Sequence, residues 1–259
     1  MKNFVKRWLG SSGPSPEPAL PQIEPGRRVY SIGDIHGRLD LLRQLHEMIV
    51  MDANNFEGDR TLVYLGDCID RGMHSCEVID ELLDAPLPGF ETVHLMGNHE
   101  QALLDFLQHP KAAAGWLAWG GRETLASYGV SLPPGFSRTN LEMLRDEFHS
   151  RLSGRHLAFY QGMQLMHKVG DYLFVHAGIR PGVPLQEQSN EDLLWISEDF
   201  IESALKHDHV VVHGHSISKE VEFRPNRIGI DTGAYATGVL TCLVLEEEEK
   251  RLLQTGGGQ

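Results

Sequence analysis

The chain is poor in cysteine, in basic charge and in long apolar runs, and each shortage removes a class of protein. Its 259 residues include three cysteines, Cys68, Cys76 and Cys242. An odd number at those spacings builds neither a disulfide framework nor a zinc ribbon, so a reducing, cytoplasmic compartment is expected. Lysine and arginine total 23 against 36 acidic residues, a formal net charge of −13. Nucleic-acid binding draws on basic surface that displaces counterions, so no nucleic-acid partner is expected. No stretch approaches the roughly 20 apolar residues of a membrane span. The basic start, Met1 to Gly10, has no apolar core of signal-peptide length, and stable membrane insertion is not expected. What remains is 41% hydrophobic and 23% charged, the balance of an ordinary globular protein. A chain of this length can bury most of its apolar surface as one domain without staples.

Residues 1–26 are rich in glycine, serine and proline between Gly10 and Gly26, which predicts a flexible arm. The folded domain is expected over 27–250, with a tail at 251–259. Short β-prone runs then end abruptly in polar residues. Val29–Ile32 leads into Gly33-Asp34-Ile35-His36-Gly37, Thr61–Leu65 into Gly66-Asp67, and Thr92–Met96 into Gly97-Asn98-His99-Glu100. Later, Tyr172–Val175 leads into His176-Ala177-Gly178 and Val210–Val212 into His213-Gly214-His215. Amphipathic stretches at Leu39–Met51 and Ser75–Leu83 separate the first three, placing Leu42, Leu45, Ile49 and Val78, Ile79, Leu82 at helical spacing. Asp34 and Asp67 lie 33 residues apart and Asp67 and Asn98 lie 31 apart, about the length of a βαβ unit. Such α/β sheets collect functional residues at the carboxyl ends of their strands. Residues 101–165 read as mainly helical, with Trp116, Trp119, Leu125 and Tyr128 as apolar anchors. Arg227–Asp231 and Val239–Leu245 read as two further strands, and the acidic run Glu246 to Glu249 as a solvated terminus.

Five strand ends thus carry Asp34, His36, Asp67, Asn98, His176 and His215. Oxygen and nitrogen donors without thiolate suit manganese, iron or zinc and leave the choice among them open. Asp34 and His36 are two apart, so on extended backbone both face one way and can grip one ion. Asp67 can bridge to a second ion completed by Asn98 and two neutral imidazoles. Two such ions would activate a shared water and clamp a phosphoryl group for in-line attack. The acidic balance of the chain is compatible with a phosphorylated ligand when cations supply the local positive charge. His99 can protonate a departing oxygen, Asp70 can hold its tautomer, and Arg71 can grip phosphate oxygens. Taken singly each residue has a plainer use: Asp34 or Asn98 as a cap, His176 as a core histidine. The set of six in order outweighs those readings. His213 is expected to pack behind the centre rather than to ligate.

Gly33-Asp34-x-His36-Gly37, Gly66-Asp67-x-x-Asp70-Arg71-Gly72 and Gly97-Asn98-His99-Glu100, followed by His176-Ala177-Gly178 and Gly214-His215-Ser216, resemble the signature motifs of the phosphoprotein phosphatases. These belong to the calcineurin-like metallophosphoesterases. The chain resembles the bacterial and phage branch, which includes bacteriophage lambda protein phosphatase, and Asp231-Thr232-Gly233 fits that branch as well. The resemblance spans about residues 28–245. It implies two mixed sheets stacked as a sandwich and flanked by helices. It also implies one metal on Asp34, His36 and Asp67 and a second on Asp67, Asn98, His176 and His215. His99 with Asp70 would form the acid dyad and Arg71 the phosphate grip, with two divalent ions, manganese first and iron or zinc next.

The implied activity is a phosphomonoesterase of the serine/threonine protein phosphatase type, with a phosphorylated protein or a small phosphoester as substrate. The alternatives are a symmetrical dinucleoside polyphosphate hydrolase and a binding module that no longer turns over. The first usually ends its third motif in Asn-His-Asp and lacks the acid at Asp70. A cyclic-nucleotide phosphodiesterase would usually carry histidine where Ile217 stands. One departure concerns substrate: the branch commonly has a second phosphate-binding arginine where this chain has Ser197. Loss of such a charge-assisted contact costs about 1.5–3 kcal/mol, so either Arg180 substitutes, the substrate differs, or activity is weak.

Overall fold

The computed structural model describes residues 20–112, 114–132 and 140–256. Strands β1 (Arg27–Ile32), β2 (Asp59–Tyr64) and β3 (Phe90–His94) run parallel. Helices α1 (Leu39–Ala53) and α2 (Ser75–Asp84) form the crossovers between them. A helical stretch follows: α3 (Asn98–Gln108), a 3-10 turn (Ala114–Ala118), α4 (Gly121–Ser127), α5 (Leu141–Arg151) and α6 (Gly154–Gly162). A second sheet contains β4 (Met166–Val169), β5 (Tyr172–Val175), β6 (Val210–His213), β7 (Glu222–Phe223) and β8 (Arg227–Gly229). Short helices α7 (Asn190–Trp195) and α8 (Glu198–Ile201) connect β5 to β6. After α9 (Ala234–Thr237), β9 (Thr241–Glu246) and β10 (Glu249–Gln254) return to the first sheet. The strand orders are β10-β9-β1-β2-β3 and β4-β5-β6-β8-β7. The result is the expected α/β sandwich of two mixed sheets.

The period-2 alternation of the strands decides which face meets which layer. Val29, Val63 and Val93 point between the sheets and meet Phe174, Val212 and Ile228 from the other side. Their neighbours Tyr30, Leu62 and Tyr64 face outward beneath α1, α2 and the helical stretch. On the far side, Leu173, Val175 and Val211 pack under α7 and α8 through Leu193, Ile196 and Phe200. Each fully buried side chain of this kind contributes about 1.5–3 kcal/mol over an exposed one. β1, β2 and β3 are parallel, as are β5, β6 and β8. Their carboxyl ends therefore open toward one rim.

Several boundaries differ from the sequence reading. The expected arm at 1–26 lies outside the described residues as far as 19, but its last part is packed. Ile23 is fully buried, its amide donates to the Glu247 carbonyl at 2.9 Å, and Tyr172 donates to the Pro21 carbonyl at 3.2 Å. Residues 251–254, expected in the tail, pair with β9 as part of β10, and the run Glu246 to Glu249 is the turn of that hairpin. The last tail residues, 257–259, lie outside the described residues. Among those described, no helix is long and apolar enough to cross a membrane.

Candidate metal centre and cleft

The rim gathers its side chains by straining the backbone. His36, Asp67, Asp70, Arg71 and His215 have φ of 48°, 49°, 72°, 65° and 58°. Side chains other than glycine rarely enter this left-handed region, at a cost of about 1–3 kcal/mol each where the strain is not relieved. Five such residues at one rim mark where folding energy has been diverted into positioning. The glycines beside them permit contact. A Cβ on Gly97 would sit 2.1 Å from Asp67 Oδ1, and one on Gly214 would sit 2.1 Å from Asp34 Oδ1.

Asp67 lies at the centre, nearly fully buried. Its Oδ2 faces His36 Nε2 at 3.6 Å and His99 Nε2 at 3.8 Å, and its Oδ1 faces His176 Nε2 at 3.4 Å. Two groups of potential ligands share it: His36, Asp67 and His99, and Asp67, His176 and His215, each with ligand atoms within 4.8 Å of one another. Asn98 joins the second, its Oδ1 lying 2.8 Å from His176 Nε2 and 3.1 Å from His215 Nδ1. Asp34 stands beside the set. Its carboxylate accepts from the His215 amide at 3.1 and 3.2 Å and packs near Asp231, outside both groups.

The donor chemistry suits cations. His36 and His176 donate from Nδ1 to the carbonyls of Ile69 and Leu65, each at 2.8 Å. A carbonyl only accepts, so these bonds fix the tautomer and turn the Nε2 lone pairs toward Asp67. Burial lowers the His36 pKa to about 3 and that of His215 to about 4, keeping both imidazoles neutral at physiological pH. Asp67 is penalised by burial, but the surrounding histidines, His176 first, hold it well below the usual carboxylate range. Burial, then Asp231 and Asp67, pushes Asp34 well above that range, and burial raises Asp231 to about 6. Crowded, buried carboxylates and neutral imidazoles form a site that a divalent cation would relieve.

Beside the centre, His99 donates from Nδ1 to Asp70 Oδ2 at 2.6 Å. Burial lowers the His99 pKa, yet Asp67 and Asp70 outweigh it and raise the net value. Asp70 is itself clamped by Trp116 Nε1 at 2.7 Å and Thr124 Oγ1 at 2.5 Å. The sequence reading took Trp116 as an apolar anchor and did not single out Thr124. The available signal was Trp116 followed by Gly120-Gly121 and Thr124, small and polar residues out of place in a plain helix. Arg71 lies 4.5 Å from the ring centre of Tyr235, with Nη2 3.3 Å from His99 Nε2.

Glu100 faces away from the cleft. Its carboxylate accepts from the amides of Gly97, Asp67, Cys68 and Ile69 and ties two loops together. His213 is buried, bonds to its own neighbour's carbonyl through Nδ1, and meets Arg227. Arg180 is committed to Asp192 and Asp199 on the surface and does not line the cleft. It therefore does not replace the arginine absent at Ser197. Trp119, expected as an apolar anchor, is 46% exposed. It lines a cleft of about 860 Å³ above the centre, together with Arg71, Asn98, His99, Trp195, His215 and Tyr235.

A two-sheet sandwich with histidines and carboxylates at one rim is the framework of a metallophosphoesterase. The calcineurin-like phosphoesterase family matches residues 27–238, and the chain belongs to that family. Its members use a dinuclear divalent metal centre. Among curated relatives, the chain is similar to the asymmetrical bis(5'-nucleosyl)-tetraphosphatase PrpE of Bacillus thuringiensis strain Al Hakam. The two are 26% identical over 238 residues, covering 84% of this chain and 90% of the relative. A solved structure assigned as a diadenosine tetraphosphatase superposes with a TM-score of 0.61 at 17% identity, covering 93% of this chain and all of that one. A serine/threonine phosphatase from Saccharomyces cerevisiae gives 0.52 at 14% identity, covering 91% and 82%. At these identities the two structures share the fold.

Proposed function

We propose that this chain is a metal-dependent phosphoester hydrolase that takes up two divalent ions. Asp34, His36 and Asp67 would hold one, and Asp67, Asn98, His176 and His215 the other. Manganese is the first candidate, and iron and zinc also suit these donors. The observation that supports this most is the division of Asp67, one oxygen facing His36 and the other His176. When bound, such a pair supplies a water activated near neutral pH and charge that neutralises phosphoryl oxygens.

The cleft residues would do the rest. Arg71, held against Tyr235, offers N–H groups to the phosphoryl oxygens. His99 has its Nδ1 proton committed to Asp70, so Nε2 is the atom that delivers a proton. Hydrolysis would join the water oxygen to phosphorus and break the bond to the leaving oxygen, which would take its proton from His99 Nε2, and the proton the water gives up would replace it.

The first substrate class is a phosphomonoester, phosphoserine or phosphothreonine in a protein, supported by the Asp70-Arg71-Gly72 motif. The second is a dinucleoside polyphosphate, favoured by the exposed tryptophans of the cleft wall and by the activity named for the Bacillus relative. The three free cysteines support a cytoplasmic setting. The test is a purified sample with Mn²⁺ assayed on p-nitrophenyl phosphate, a phosphothreonine peptide and diadenosine tetraphosphate. Turnover of the first two supports the phosphatase, turnover of the dinucleotide alone the second class. Two bound ions with no turnover of any would leave a binding module and end the enzymatic reading.

A further inference from the structure

We infer that the outer wall of the cleft is a nucleotide subsite, with Arg122 holding a phosphate beyond the one hydrolysed and Trp119 and Trp195 carrying a base. This rests on the hydrolase reading above and takes the second of its two substrate classes, the nucleoside polyphosphates.

Three observations converge. Many of the other surface arginines are committed to carboxylates, such as Arg38 to Asp40, Arg43 to Glu81 and Arg180 to Asp192. Arg122 is exposed, lines the cleft, and has no ion pair or hydrogen bond among the described residues. It lies two residues after Gly120, whose carbonyl accepts from the Arg71 amide at 3.3 Å. A backbone hydrogen bond thus joins the segments that carry the two cations. In a protein of net charge −13, two arginines at one cleft describe a ligand with more than one anionic group. Arg71 is occupied at the metal edge by His99 and Tyr235, which leaves the outer anion to Arg122.

The tryptophans supply the second part. Trp119 and Trp195 meet edge to face at 5.4 Å, and Trp195 in turn lies 6.4 Å from His215. They remain 46% and 37% exposed. Rings of this size ordinarily bury, and exposed aromatic faces next to cations suit a stacked base. Glu123 in the same wall repels an anion but can accept from a ribose hydroxyl or an exocyclic amine. The cleft volume, about 860 Å³, lies within the roughly 300–1,000 Å³ of small-molecule sites.

The experiment uses the full chain loaded with Mn²⁺. Steady-state kinetics on diadenosine tetraphosphate and on p-nitrophenyl phosphate are compared for the parent, Arg122→Ala and Trp195→Leu. In parallel, adenosine 5'-diphosphate is titrated against tryptophan fluorescence. Arg122→Ala should lower the ratio of kcat/KM, dinucleotide over aryl phosphate, at least about tenfold, through KM. The parent should show quenching that Trp195→Leu weakens. Equal loss on both substrates would place Arg122 on the transferred phosphoryl group and overturn the subsite. So would turnover of aryl phosphate and phosphopeptide with none of the dinucleotide, although the hydrolase reading would survive. If nothing turns over, the hydrolase reading fails, and absence of quenching would then remove the subsite as well.

Discussion

Asp67 holds φ at 49° with each carboxylate oxygen facing a different imidazole. Nothing but a carboxylate supplies two such oxygens at one position. Asp67→Ala should therefore abolish metal stoichiometry together with activity, the latter by at least about 100-fold; elemental analysis retaining two ions per chain would refute the bridging assignment. His99 is different, because its Nδ1 bond to Asp70 orients it toward a leaving group. His99→Ala should keep both ions and lose rate by about 10²–10⁴-fold, more on alkyl phosphates than on p-nitrophenyl phosphate, whose departing oxygen needs little help. Release of metal by this variant would remove the acid role. The residue types at these positions were legible from sequence because Gly-Asp-x-His, Asp-x-x-Asp-Arg and Asn-His are short and local. That Asp34 also faces Asp231 was not, since 197 residues separate the two along the chain.

Among the elements, the loop after β2 and the start of α3 are tied by Glu100, whose carboxylate accepts four amide protons. Burial, then Asp67, raises its pKa to about 7 while the amides pull the other way. Glu100→Gln brings an NH₂ group against those donors. It should destabilise the chain by about 1.5–3 kcal/mol, seen as a lower urea midpoint, and loosen the Asp67 loop. An unchanged midpoint would show the cradle to be dispensable. The buried strands and the amphipathic α1 and α2 were readable from their periodicity. β4 and β10 were not, for their sequences Met-His-Lys-Val and Glu-Lys-Arg-Leu-Leu-Gln are polar edge strands with one side toward water. The helical stretch was legible as helix, yet its task depends on docking, which brings Trp116 and Thr124 onto Asp70.

The molecule as a whole carries two pH- and ligand-dependent reserves. Burial holds the pKa of His46 and of His94 at about 4, below the ordinary 6.5. Between pH 6.5 and 4 the unfolded chain takes up protons that the folded chain refuses, so stability must fall as pH drops through that window. His94 stacks flat on Tyr64 at 5.0 Å, so His94→Phe keeps the ring and removes one titration. The fall in urea midpoint from pH 7 to pH 5 should shrink in this variant, and an undiminished fall would exclude His94 as a source. The second reserve is the buried carboxylate cluster at the rim. Ions at about 100 times their dissociation constant add about 2.7 kcal/mol. Chelation should then lower Tm by roughly 5–10 °C, and a Tm indifferent to chelator would contradict a metal pair bound by the folded state.

The order of strands and turns, the donor types and the parallel α/β rhythm were determined by the sequence itself, because each is written in residues that are neighbours along the chain. Which face of each sheet meets the other, which histidine nitrogen turns inward, and that Trp119, Trp195 and Arg122 share one cleft were decided by the tertiary structure. Those facts depend on contacts between segments far apart in the chain, and no local spacing encodes the angle at which two sheets and a helical stretch come together.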